Sequence, residues 1–120
     1  MSLLSVADSF YVGVHDIGTA TYWYIEKLGL KKTTVEIDEA EGCVGLIFPK
    51  EFPAAIVLGP PGAPSEGATR MLYTGAIDKA REWLITRGVK VSAIEKDRQG
   101  TQYFELRDLE GNVIEVAEEP

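Results

Sequence analysis

Apolar positions along this chain follow two alternating periods. In residues 16–31 (DIGTATYWYIEKLGLK), Ile17, Ala20, Trp23, Tyr24 and Leu28 recur at the three- and four-residue spacing of one helix face. The spacing returns in residues 76–90 (AIDKAREWLITRGVK), at Ile77, Ala80, Trp83 and Leu84. A shift of sixty lays Ile17 on Ile77, Ala20 on Ala80, Trp23 on Trp83 and Ile25 on Ile85; with one residue of slippage, Gly29-Leu30-Lys31 falls on Gly88-Val89-Lys90. Each copy predicts an amphipathic helix ended by glycine, which accepts the left-handed conformation of a helix C-cap. Asp16 stands where the first helix needs an N-cap acceptor. The matched Trp23 and Trp83 are expected to be core anchors.

Strand-like runs surround both helices. They are residues 9–14, 31–37, 44–48 and 54–58 in the first half, and 69–73, 90–94, 102–106 and 113–117 in the second. Prolines 49 and 53 separate two of them, and residues 39–42 and 95–100 read as polar and charged turns. Residues 107–112 (RDLEGN) hold the Asp, Gly and Asn of a hairpin turn, with Asp108 and Asn112 as turn residues. The Pro-rich stretch 59–67 (GPPGAPSEG) is the one obvious linker. The order is strand, helix, three strands, twice. That predicts an α+β fold of two tandem β-α-β-β-β modules, at about 9–58 and 69–117 with a linker at 59–68, inside a single domain spanning 1–120. An internal duplication is the simplest account.

Composition narrows the function. At 120 residues, 45% hydrophobic and 26% charged, the chain can bury a core without disulfides or a structural metal. A net charge of -7 would repel a phosphate backbone, so nucleic acid is not an expected partner. The single cysteine, Cys43, excludes an intrachain disulfide and reads as a buried small apolar strand residue. MSLLSVADSF resembles neither a signal peptide nor a membrane anchor, and the default expectation is a cytoplasmic protein without membrane contact.

Two stretches carry a family resemblance. From Asp16 to Gly29, an Asp is followed by the aromatic pair Trp23-Tyr24 and then by Leu28-Gly29-Leu30; residues 107–116 (RDLEGNVIEV) carry a D-x-x-G-N-x-I-E hairpin. In these motifs and its duplicated element order, the chain resembles the vicinal oxygen chelate superfamily, which includes glyoxalase I, extradiol dioxygenases and the bleomycin resistance proteins. The resemblance implies that the modules curl into a cup-like mixed sheet around one binding cavity, often across a homodimer. It also implies metal-ligand positions early on each first strand and on each last strand. Those positions fall here on Ser9 and Thr69, on a place near Ile56 flanked by Ala55 and Val57, and on Glu115. Glu115 is the one acid among them, so neither a catalytic metal nor another cofactor is expected. His15, the sole histidine, follows Ser9 by six residues and reads as a corner residue.

Glu115 alternates with Ile114 and Val116, which turns it toward the cup, where a carboxylate is paired, solvated or raised in pKa. If raised, it is the candidate catalytic base or the holder of a cationic group; the alternative is a hydrogen bond from Ser9, Tyr11 or Tyr73, or a charge pair from a partner chain. Tyr103, Glu105 and Arg107 alternate with Phe104 and Leu106 and share its face. With Ser9, Tyr11, Thr69, Met71 and Tyr73 they form the candidate ligand-binding set, suited to a small organic molecule that is aromatic or cationic. The same residues would equally fill the cup or a dimer interface. Three functions stay open: a metal-free small-molecule binder, an enzyme of the lyase, isomerase or dioxygenase kind, and a dimeric module without a ligand. Open sheet edges lead us to expect a homodimer.

Overall fold

Both predicted helices form, the first of them between the capping residues that the sequence marks. The computed structural model describes residues 3–32, 42–49, 55–62 and 70–119. Helix α1 spans Ile17–Leu28, with the Asp16 carboxylate accepting from the Thr19 N–H at 3.0 Å and Gly29 closing it at φ 77°. It buries Ala20, Thr21, Tyr24 and Leu28. Helix α2, Ile77–Thr86, has no side-chain cap from Ala76; it buries Ile77, Ala80 and Leu84. The two apolar stripes lie on the two sheets.

The first sheet runs in the order β1-β4-β3-β2, from β1 (Phe10–Gly13), β2 (Lys31–Lys32), β3 (Val44–Ile47) and β4 (Ile56–Gly59). The second runs β5-β9-β8-β6, from β5 (Met71–Thr74), β6 (Lys90–Val91), β8 (Gln102–Arg107) and β9 (Val113–Glu118), with β7 (Glu95–Lys96) also paired to β8. In both, the first and last strands are parallel neighbours and the other pairs are antiparallel. The N-terminal segment adds a bridge, Ser5 to Tyr73, with two 2.9 Å backbone bonds on the free side of β5. Leu4 and Val6, which flank it, are buried.

One continuous core joins the halves: Phe10, Val12, Leu46, Ile56 and Leu58 meet Leu72, Phe104, Leu106, Ile114 and Val116 under the helices. The β8–β9 hairpin also docks on the β1–α1 corner. Tyr24 Oη donates to Asp108 Oδ2 at 2.7 Å in the buried interior, and Asn112 Nδ2 donates to the Gly13 carbonyl at 3.1 Å. Glu110 accepts from two successive backbone N–H groups, His15 at 2.7 Å and Asp16 at 3.0 Å.

Several expectations need correction. Glu95 and Lys96, read as part of a turn, form β7 against Tyr103 and Gln102. Val91 pairs with Leu106 and Glu95 with Tyr103, so four steps on one side oppose three on the other. That one-residue β-bulge breaks the alternation which would have marked a continuous strand. Trp23 and Trp83 are only partly buried, against the rim of the core; Tyr24 is the fully buried aromatic of α1. Cys43 is a half-buried free thiol preceding β3. Thr69 and residues 33–37 of the second predicted strand lie outside the described residues.

Candidate functional site

Alternation puts chemistry on one face of the second sheet. Phe104, Leu106, Ile114 and Val116 turn into the core, which sends Tyr103, Glu105, Arg107, Val113, Glu115 and Ala117 to the opposite side. Strand register then sorts that side into rows, because directly paired residues share a face. Met71, Glu115 and Glu105 form one row. Tyr73, Ala117, Tyr103 and Glu95 form the next. On the other side of the acidic row stand Val113, Arg107 and Lys90. Met71, Tyr73, Tyr103, Glu105, Arg107 and Glu115 are therefore brought together on one face.

Glu105 and Glu115 are direct cross-strand partners. Like charges so placed, with Cα atoms about 4.5–5.5 Å apart, destabilise a sheet. Among the described residues, no hydrogen bond or ion pair engages either carboxylate. Partial burial, then the Glu105 charge, then Asp97 raise the Glu115 pKa above its ordinary value. One row away, Tyr103 Oη donates to Glu95 Oε2 at 3.2 Å; this hydrogen bond, followed by the Glu95 charge, pushes the phenol pKa up. Arg107 turns Nη1 to the Gly111 carbonyl at 3.4 Å. The face thus offers two unneutralised carboxylates between an aromatic row and a basic one.

Ser9 and Tyr11 do not join this face. Ser9 Oγ accepts from the Ala55 N–H at 2.9 Å, tying the start of β1 to the start of β4. Tyr11 lies on the first sheet, and its hydroxyl donates to the Pro60 carbonyl at 2.6 Å. None of the hydroxyls of Ser9, Tyr11 and Tyr73 is bonded to Glu115 among the described contacts.

Register also identifies the first-half counterpart of Glu115. Met71 pairs with Glu115 and Tyr11, sixty positions earlier, pairs with Val57. Ile56 is buried on the core side, so Val57 and not Ile56 faces outward there. A divalent metal needs three or four converging His, Cys or carboxylate donors. With Val57 apolar, Ser9 bonded to backbone and His15 exposed at the β1–α1 corner, the described residues do not fit one, and no group of three such donors converges.

Sequence reasoning missed Lys90 and Glu95. Lys90 sits opposite Arg107, and Glu95 holds the Tyr103 hydroxyl. The charge run from Glu95 to Arg98 reads as a turn, because the bulge before it breaks the strand alternation. Asp108 and Asn112 do more than turn the chain, since they and Glu110 fasten the hairpin to the first half.

No family sequence model matches the chain, and no curated protein does. Solved structures do. A member of the glyoxalase/bleomycin resistance protein/dioxygenase superfamily from Sphaerobacter thermophilus DSM 20745 is similar at 25% identity and TM-score 0.75, over 96% of this chain and 98% of the other. A glyoxalase/bleomycin resistance protein from Streptomyces sp. CB03234 is similar at 25% identity and TM-score 0.70, over 92% and 99%. TnmS3, an antibiotic binding protein from Streptomyces sp. CB03234, has TM-score 0.75 at 23% identity, over 97% of both chains.

Proposed function

Because the chain belongs by fold to the glyoxalase/bleomycin resistance protein/dioxygenase group, the vicinal oxygen chelate superfamily, we propose that it is a metal-independent binder of small aromatic molecules carrying a positively charged group. The observation that carries this reading is the directly opposed, unpartnered Glu105–Glu115 pair beside Tyr73 and Tyr103. Such a pair is unfavourable for the sheet alone, and a bound cation relieves it. The tyrosine faces add quadrupole attraction for the same charge, and Met71 a soft apolar surface. TnmS3 supports the reading to the extent that an antibiotic binder is built on this fold.

A second reading rests on the raised pKa of Glu115: a carboxyl poised above its usual range suits general-base work on a bound ligand. Product formation from a bound ligand, lost in Glu115→Gln, would separate this from binding alone. We further propose that the protein is a homodimer, since among the described residues β1 pairs only with β4 and β2 only with β3, leaving strand edges to be covered.

Calorimetric titration with aromatic amines tests the main reading. Glu115→Gln should weaken binding by about 1.5–3 kcal/mol, the range for a hydrogen bond to a charged group. Ser9→Ala should change it little, and stripping divalent ions should leave it intact. Binding that ignores Glu115 but needs an added divalent ion and Ser9 would overturn the reading.

A further inference from the structure

We propose that this face selects a dipolar ligand, with an ammonium-type group over Glu105 and Glu115 and a carboxylate or similar anionic group against Lys90 and Arg107. The inference rests on the small-molecule reading above and specifies the charge pattern of what is bound. Its basis is a second like-charge pair on the same face. Lys90 and Arg107 are direct partners across β6 and β8, as Glu105 and Glu115 are across β8 and β9. Two adjacent rows therefore carry pairs of opposite sign.

These rows are not joined by direct ion pairs. Glu105 and Arg107 stand two residues apart on one face of β8, about 6.6–6.8 Å along the strand. Among the described residues no ion pair joins any of the four side chains, and the Arg107 guanidinium bonds only to the Gly111 carbonyl. A plain cation over the glutamates would sit within one screening length, about 8 Å, of both positive charges. An anionic group on the same ligand removes that opposition. Arg107 supplies the planar fork that holds carboxylates in two parallel bonds, and Lys90 a compact charge beside it. Beyond the acidic row, Tyr73 and Tyr103 await an aromatic group. The matching ligand has an aromatic ring, an ammonium and an anion in that order, with the charges separated by roughly the length of a dipeptide.

Four forms of one small probe decide the matter: Trp-Gly with both ends free, its C-terminal amide, its N-acetyl derivative, and the doubly blocked peptide, each titrated calorimetrically into the intact protein. The free dipeptide should bind tightest, by about tenfold or more over either singly blocked form, as expected for one charged hydrogen bond lost. In a Lys90→Gln/Arg107→Gln variant the gap between acid and amide should shrink to about twofold or less. The gap between free amine and acetyl should shrink likewise in Glu105→Gln/Glu115→Gln. Equal affinity of all four forms for the native protein would overturn the dipolar assignment while leaving small-molecule binding in place. Binding by none would also overturn it, and the aromatic-amine titration then decides separately whether the face binds at all. Because the probe series uses unaltered protein, it holds even if a variant fails to fold.

Discussion

Lys27, in the last turn of α1, and Arg87, the C-cap of α2, each donate to the end of the other's helix. Lys27 Nζ reaches the Arg87 carbonyl at 2.8 Å, and Arg87 Nη2 reaches the Glu26 carbonyl at 3.1 Å. The last carbonyls of a helix lack intrahelical partners and carry its negative pole, so each cation satisfies an acceptor and a dipole together. Arg87 also stacks 4.3 Å from the Trp83 ring centre, and Trp83 lies against Gly29. Arg87→Ala should therefore destabilise the fold by about 1–2 kcal/mol, more than Lys27→Ala, which leaves no ring uncovered. Urea unfolding of both variants measures the difference; equal, negligible losses would mean the clasp is ornamental.

Tyr24→Phe removes the buried donor to Asp108 Oδ2 and leaves that oxygen with Asn112 alone. Burial, with the Asp108 charge next, holds the phenol pKa well above its ordinary value, so Tyr24 is a neutral donor at all ordinary pH. The expected loss is about 1.5–3 kcal/mol by denaturant unfolding, as for a hydrogen bond to a charged group. A loss below about 0.5 kcal/mol would mean that water replaces the phenol.

Glu110 and Glu115 should respond to pH with opposite signs. The backbone N–H groups of Asp16 and then His15 lower the folded pKa of Glu110, so its stabilisation is present above the unfolded value of about 4.3 and lost as pH falls through the folded one. Glu115 is raised, so the folded state binds more protons and stability falls as pH rises from the unfolded value through the folded one. Glu115→Gln should thus raise the melting temperature at pH 7, by an amount equivalent to about 0.2–1 kcal/mol at the low end for so exposed a pair. The gain should vanish in acid. Glu110→Gln should lower stability at pH 7 and converge on wild type in acid. Thermal melts across pH 3–8 would expose a reversal of either sign.

Gly59→Ala should disturb the first sheet. An added Cβ would run into the Tyr11 hydroxyl and within 2.8 Å of Cys43 Sγ. Displacing the phenol from the Pro60 carbonyl should cost about 1–3 kcal/mol, as overpacking does. Pairing the change with Tyr11→Phe, which removes the colliding oxygen, should recover part of the loss; no recovery would place the clash elsewhere.

The capping residues Asp16 and Gly29 made both ends of α1 legible, and the alternation of Phe104 and Leu106 with Tyr103, Glu105 and Arg107 made the face of β8 legible. Depth was another matter. Trp23 and Tyr24 adjoin on one helical stripe, and only packing against the second half's hairpin decides that Tyr24 is the buried one. The β-bulge hid β7, and with it the partner of Tyr103. Glu110, an acid in a turn, looks like any solvated residue until the β1–α1 corner is brought against it. Alternation sets Tyr11 apart from Phe10 and Val12, but it does not report that the hydroxyls of Ser9 and Tyr11 are held by Ala55 and Pro60.

Backbone amide shifts locate a bound aromatic amine on the protein. Titrating tryptamine should move the amides of Tyr103 to Arg107, Val113 to Ala117 and Met71 to Tyr73, and Glu115→Gln should sharply reduce those shifts. Saturable shifts confined to the first sheet, around Tyr11 and Val57, and unaffected by Glu115→Gln, would contradict binding on this face.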